Sequence, residues 1–208
     1  RSENRLAFSS GASHAEVWRL ALDGSRQASR LISSSGARIF NPQYSPDGRR
    51  IAFMSARPEG VTIWVSDNEG NNPLQVAHAT GIFAAPARWS PDGAQLVFEC
   101  VEDGNEDICA APAGGGAVRR ITRNAAQDLF PSWSGDGTWI YLTSDRSGSF
   151  QIWKTPAGAG EAGAVQLTQG GGFGAVESPD GSVVYYAGGR RSGALMQAPV
   201  AGGHETQV

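Results

Sequence analysis

Several residue types are scarce in this 208-residue chain. Cysteine occurs twice, at Cys100 and Cys109, too few for a disulfide scaffold and nine apart, which is not a familiar metal-ligand spacing. Histidine occurs three times, at His14, His78 and His204, without the short repeated spacings of a metal site. Lysine occurs once, as Lys154, so that 16 of the 17 basic residues are arginine. Neither sign of charge dominates: 17 basic residues stand against 20 acidic ones, which excludes the diffuse attraction to phosphate that marks a nucleic-acid-binding domain. No apolar run reaches the roughly 18 residues of a membrane-spanning helix. Residues 1–4, Arg-Ser-Glu-Asn, do not lead into the apolar stretch of a secretory signal. The expectation is a chain without membrane insertion or direct nucleic-acid contact, and, since it does not begin with Met, a mature product or an excised piece.

Glycine, in contrast, is abundant. Its 28 occurrences in 208 residues are roughly twice the average usage of about 7%, so turns must be frequent. The tetrapeptide Ser45-Pro46-Asp47-Gly48 recurs as Ser90-Pro91-Asp92-Gly93, Ser134-Gly135-Asp136-Gly137 and Ser178-Pro179-Asp180-Gly181, with steps of 45, 44 and 44 residues between the aspartates. Three residues before the Asp stands Tyr44, Trp89 or Trp133, with Glu177 as the exception. After it comes an apolar run (Ile51-Ala52-Phe53, Leu96-Val97-Phe98, Ile140-Tyr141-Leu142, Val184-Tyr185-Tyr186), then a polar turn, a second run such as Ile63-Trp64-Val65 or Ile152-Trp153, and a third short stretch behind a Gly-rich turn.

Each unit reads as four short strands, and no segment keeps helical spacing of apolar residues. A four-stranded unit of this length is the size of a propeller blade, a sheet that must cover both faces against its neighbours. The expected fold is therefore an all-β propeller, with one domain over 1–208 and blades at about 1–36, 37–80, 81–125, 126–170 and 171–208. In the first unit Arg5-Leu6-Ala7-Phe8 aligns on Arg50-Ile51-Ala52-Phe53, and nothing stands where an innermost strand belongs. Four whole blades plus one lacking its inner strand suggest a piece of a larger propeller, whose terminal blades should leave the isolated chain either self-associating or an open arc. The turn chemistry explains the tetrapeptide: Pro presets φ, Asp accepts from a nearby backbone N–H, and Gly leaves the turn at positive φ. Asp47, Asp92, Asp136 and Asp180 are accordingly structural, since the further oxygens of a Ca²⁺ site do not recur at fixed offsets.

Trp-Ser-Pro-Asp-Gly, an apolar strand, Ser-x-Arg (Ser55-Ala56-Arg57, Ser144-Asp145-Arg146) and Ile-Trp together resemble the WD40-like repeat of the TolB family, over essentially the whole chain. Asn4 to Phe8 with Val17-Trp18-Arg19-Leu20, Phe40 to Gly48, Gln151 to Lys154 and Gly171 to Gly181 resemble still more closely the C-terminal propellers of bacterial winged-helix, CadC-like transcriptional regulators. The resemblance implies a sensing or protein-binding propeller, favours the periplasmic or envelope side, and transfers no catalytic residue. Similar propellers also gate prolyl-oligopeptidase-type serine peptidases, which is the alternative reading. Those enzymes need a Gly-x-Ser-x-Gly elbow in an α/β-hydrolase domain, and this sequence contains neither.

The remaining motifs read as structure. Asp103-Gly104-Asn105-Glu106-Asp107 lacks the glycine and the twelfth-position Glu of a Ca²⁺ loop and reads as a hairpin tip. Gly114-Gly115-Gly116 lacks the Lys-Ser/Thr of a phosphate loop. Cys109 holds the place of Trp64 and Trp153 and reads as a small buried hydrophobe, although a bridge to Cys100 is left open by the spacing. No metal or cofactor is expected. The candidate binding surface is the axial face, where Phe40, Asp128, Phe130 and Phe173 stand just before inner strands and Arg57, Arg146 and Arg190 lie ten residues after their turn Asp, with Glu102 in the fourth such place. The competing account has the phenylalanines plugging between blades and the arginines pairing with carboxylates.

Overall fold

The computed structural model describes residues 5–10, 16–22, 25, 27–79, 86–189 and 193–208. Those residues form five antiparallel sheets, one of three strands and four of four. The first holds β1 (Arg5–Ser10), β2 (Glu16–Ala21) and β3 (Ala28–Ile32). The second runs β4 (Arg38–Tyr44), β5 (Arg50–Arg57), β6 (Gly60–Asp67), β7 (Leu74–Ala79). The third runs β8 (Arg88–Trp89), β9 (Gln95–Glu102), β10 (Asn105–Pro112), β11 (Arg119–Arg120). The fourth runs β12 (Asp128–Trp133), β13 (Trp139–Ser144), β14 (Gln151–Pro156), β15 (Val165–Gln166), and the last β16 (Phe173–Glu177), β17 (Val183–Gly188), β18 (Ala194–Pro199), β19 (Thr206–Gln207). Strands follow one another in sequence order within each sheet, the meander of a propeller blade. Among the described residues no helix is long and apolar enough to cross a membrane.

The repeated tetrapeptide closes the turn between the first two strands of four sheets. Gly48, Gly93, Gly137 and Gly181 sit at φ between 68° and 73°, and the Gly48 amide donates to the Ser45 carbonyl at 2.9 Å. The serine is the hub. Ser45, Ser90, Ser134 and Ser178 are buried; the Ser45 hydroxyl donates to Asp47 Oδ1 at 2.6 Å and accepts from the Arg50 amide at 2.9 Å, while Asp47 Oδ1 also takes the Arg49 amide at 3.1 Å. The other three turns repeat this arrangement. These donors favour the ionised form, so all four aspartates are held below the usual carboxylate range, and Asp180, which accepts from the Ser178 and Ser182 hydroxyls and the Ser182 amide, falls to about 2.

Successive residues of the second strand face opposite neighbours. Ile51 and Phe53 pack with Val17 and Ile39 toward the first sheet, and Ala52 and Met54 pack with Trp89, Leu96 and Phe98 of the third. The near-continuous apolar runs follow from this two-sided burial, each large side chain contributing about 1.5–3 kcal/mol. Polar latches fix the angle between blades. Trp89 Nε1 donates to the Gln43 carbonyl and Trp133 Nε1 to the Arg88 carbonyl, each at 3.2 Å. Where Glu177 replaces the aromatic residue, the neighbouring blade supplies Tyr141, whose hydroxyl donates to Glu177 Oε2 at 2.9 Å. Lys154 lies over the Trp139 ring and donates to the Val200 carbonyl at 2.7 Å.

Within the third and fourth blades a buried threonine ties the outermost strand back. Thr122 Oγ1 accepts from the Ile108 amide and donates to Asp107, and Thr168 does the same between Ile152 and Gln151. Asp107 is fully buried, and burial pushes its carboxyl up against the opposing pull of Arg120, 2.5 Å away. Cys109 is not a free hydrophobe: it is bonded to Cys100, with 5.9 Å between the Cα atoms. The strand register, Cys100 opposite Asp107 and Cys109 opposite Phe98, makes this a diagonal bridge across one face of the hairpin, a proximity that spacing in sequence does not reveal.

Candidate functional site

The inner strands β4, β12 and β16 each carry a bulge at the same place in the repeat, between Phe40 and Gln43, Leu129 and Ser132, and Phe173 and Val176. The residue six before the turn Asp takes the left-handed conformation: Asn41 at φ 52°, Phe130 at 52° and Gly174 at 64°. A phenylalanine there is strained, and the strain is offset by a bond from the preceding blade. The Phe130 amide donates to Glu99 Oε1 at 2.8 Å, and the Gly174 amide to Thr143 Oγ1 at 3.0 Å. Glu99 and Thr143 both stand seven residues after a turn Asp. In the third blade the equivalent position is Pro86, which has no N–H, and the matching residue of the blade before it is Met54.

Beyond the bulge β12 and β16 approach each other. Phe130 and Phe173 meet edge to face at 6.4 Å, and Phe150 tilts on Phe173 at 5.2 Å. Phe130 and Phe173, with Val176, Tyr185, Ala187 and Leu195, line an open, mainly apolar cavity of about 390 Å³ on the outward side of the last sheet. A smaller recess of about 70 Å³ shares Phe130, Gly174 and Val176 with it and adds Pro86, Arg88 and Ser132. Arg88 is half-buried. With the Gln43 amide turned as its neighbours require, Gln43 Nε2 donates to the Ala87 carbonyl at 3.1 Å and its oxygen accepts from Arg88 Nη1 at 2.6 Å.

The residues singled out in the sequence separate into groups. Phe130 and Phe173 come together at the cavity. Asp128 and Arg146 also come together, but as a closed pair: Asp128 is fully buried, Arg146 Nη2 donates to both its oxygens at 3.0 Å, and the guanidinium covers the Trp153 ring at 5.0 Å. Phe40 lies apart, under Arg38 at 5.8 Å and against the core between the second and third blades. Arg57 ends β5, exposed, paired across the hairpin with Gly60. Arg190 and His14 fall outside the described residues. His78 is exposed beside Gln75, and among the described residues no three His, Cys, Asp or Glu side chains gather as metal ligands. Asp103-Gly104 forms a two-residue hairpin turn with φ of 55° and 82°.

Arg88 and Val176, both four residues before a turn Asp along with Gln43 and Ser132, were not among the sequence candidates. Counting back from the tetrapeptide finds them. The alternation of strand faces does not find Val176, because the bulge of β16 shifts it by one residue.

The chain matches the TolB beta propeller domain over residues 4–208. It is 31% identical over 123 residues to the Tol-Pal system protein TolB of Desulfosudis oleivorans, covering 59% of this chain and 27% of that protein. It therefore spans about a quarter of that relative's length. Among solved structures, TolB from Acinetobacter baumannii superposes with a TM-score of 0.77 at 24% identity, over 98% of this chain and 52% of that one. A prolyl endopeptidase chain superposes at 0.70 with 14% identity, over 100% of this chain and 35% of that one. Both likenesses establish the fold alone, whereas the match over nearly every residue places the chain in the TolB beta propeller family.

Proposed function

We propose that the chain is a non-enzymatic binding module that takes a protein or small ligand at the apolar outward face of the last blade, beside Phe130 and Phe173. The observation that carries this reading is the open apolar cavity of about 390 Å³ lined by Phe130, Phe173, Val176, Tyr185 and Leu195. The turn carboxylates, in contrast, are engaged by their own backbone and serine hydroxyls. A periplasmic or envelope setting is supported by the Cys100–Cys109 bond, since such bonds persist in oxidising compartments. The narrower alternatives, a propeller carried by a winged-helix regulator or by a serine peptidase, are separated by the sequence flanking these residues in the gene.

A photo-crosslinking side chain at Val176 tests the site against the same group at Val118, which is exposed elsewhere. In extract of the native host, crosslinks to a distinct species from position 176, lost on Phe130→Ala and absent from position 118, are expected. Equal labelling from both positions would refute the site.

A further inference from the structure

The sequence contains six Asp-Gly pairs, and five lie among the described residues. Four of these are the blade turns. There the glycine amide donates to the serine carbonyl, at 2.9 Å from Gly48, 2.8 Å from Gly93, 3.0 Å from Gly137 and 2.9 Å from Gly181. Each turn carboxylate is also engaged by the serine hydroxyl and by the backbone amide two residues on. The fifth pair, Asp103-Gly104 at the tip of the β9–β10 hairpin, lacks these restraints. Among the described residues the Gly104 amide meets no acceptor, and a Cβ on Gly104 would have nothing within 4 Å. The Asp103 side chain is 93% exposed, and among the described residues its one partner is Arg120 Nη1 at 3.5 Å, a surface ion pair of little strength.

We infer that Asp103 is a modification site, converting without an enzyme to isoaspartate while the four turn aspartates stay intact. The Gly104 nitrogen attacks Cγ of the protonated Asp103 carboxyl; the N–Cγ bond forms, the Cγ–OH bond breaks, and the hydroxyl leaves as water with the amide proton. Water then opens the five-membered imide at the main-chain carbonyl of Asp103, so that the chain runs on through Cβ and Cγ with no change of oxidation state. Opening at Cγ restores aspartate. Attack requires the amide nitrogen and the carboxyl carbon to swing together, and a glycine beside a side chain in open solvent leaves that motion unhindered. In the blade turns the same motion breaks the bond from glycine to serine and the bonds to the carboxylate. Those donors also hold the turn carboxyls ionised, below the usual carboxylate range, and an ionised carboxyl has no hydroxyl to lose. The product lengthens the backbone by one atom at the hairpin tip and so disturbs the pairing of Glu102 with Asn105. The Asn105 side-chain amide donates to the Asn124 and Ala126 carbonyls at 2.9 and 3.0 Å, pinning the linker from the third blade to the fourth. Because the Cys100–Cys109 bond keeps the two strands joined, the change is felt at this linker and not as loss of the hairpin.

The test incubates the 208-residue chain for weeks in mildly acidic buffer at physiological temperature, beside a sample unfolded in denaturant. After reduction, trypsin releases Trp89 to Arg119 as one fragment that holds both Asp92-Gly93 and Asp103-Gly104, and endoproteinase Asp-N cuts before aspartate but not before isoaspartate. In the folded sample, cleavage before Asp103 should be lost several-fold faster than cleavage before Asp47, Asp92, Asp136 or Asp180. In the unfolded sample all five should be lost at similar rates, which assigns the selectivity to the fold. Asp103→Asn, a residue suited to this turn, should react through the same ring at neutral pH with release of ammonia, read as the mass change from amide to acid, and Asp103→Glu should give no product. Hydrogen exchange at the Ala126 and Gln127 amides, which donate to Asn124 and Asp145, should quicken in the isomerised fraction. Asp103 staying intact in the folded sample, equal loss at all five sites of the folded chain, or the same preference for Asp103 in the unfolded chain would each overturn the inference. Unchanged exchange at Ala126 in the isomerised fraction would overturn its link to the seam between the blades. The comparison of folded with unfolded parent needs no variant, so a substitution that disturbs folding does not blunt the test.

Discussion

At the scale of single residues, the turn serine and aspartate act as one device. Asp92 accepts from the Ser90 hydroxyl at 2.5 Å and the Ala94 amide at 2.9 Å, which parallels a helix cap. Asp92→Ala should therefore lower stability by about 0.5–2 kcal/mol. Chemical denaturation measures the loss, and Ca²⁺ or a chelator should leave the melting temperature of parent and variant unchanged. The same contacts fix the response to acid. The folded pKa of Asp180 lies near 2, below its ordinary value of 3.8, so ionisation is easier in the folded chain and the unfolded chain binds the proton first. The stability due to this group is complete above the unfolded value and is lost as pH falls from about 4 through about 2. Melting temperatures of the parent and Asp180→Asn, compared across that range, should differ at neutral pH and converge at the acid end. Convergence only above pH 5, or none, would contradict the assignment.

At the scale of elements, the bulged inner strands and the glycines beside them leave little room for change. A Cβ at Gly172 would lie 2.8 Å from Ile152 Cγ1 and from Tyr186 Cδ2, both fully buried. Gly172→Ala should cost about 1–3 kcal/mol, read as a lowered denaturation midpoint, whereas Gly158→Ala, which meets nothing within 4 Å, should be nearly silent. The elements also explain what could be read in advance. The repeated tetrapeptide and its apolar runs disclose the blades because turn chemistry and two-sided burial are local demands on the sequence. Phe130 and Phe173 were visible because aromatic residues just before an inner strand have few destinations other than the axis or a blade interface. Val176 was not, since the bulged residue before it reverses which side chains face inward, and at the same place in β4 and β12 Asn41 and Phe130 take positive φ without a glycine to announce it. Likewise Arg146 pointed to a surface by its spacing but closes on Asp128, a partner on β12 that only the sheet register supplies.

At the scale of the whole molecule, the two end blades differ from the three between them. Leu6 and Phe8, equivalent by repeat to the buried Ile51 and Phe53, are 49% and 36% exposed, and Val176 and Leu195 at the other end are 53% and 52% exposed. Among the described residues the first and last sheets form no packed interface with each other. One end offers the face that a preceding blade covers elsewhere, and the other offers the face that a following blade covers. The isolated chain is therefore expected to self-associate end to end, its mass by light scattering rising with concentration, and Leu195→Asp should restore the monomer. A parent chain that stays monomeric at high concentration would contradict this. The latches between blades bear also on how such a chain can grow in evolution. A tandem duplicate of the fourth blade would set the Tyr141 hydroxyl against a copy of Trp133 in place of Glu177, stranding a buried polar group that now has its carboxylate. A duplicate of the third would turn Glu99 toward a copy of Pro86, which has no amide hydrogen to give, in place of Phe130. Neither unit can be copied in place unaltered, so the order of blades is written into the seams between them, and lengthening this chain demands paired substitutions on both sides of each new joint.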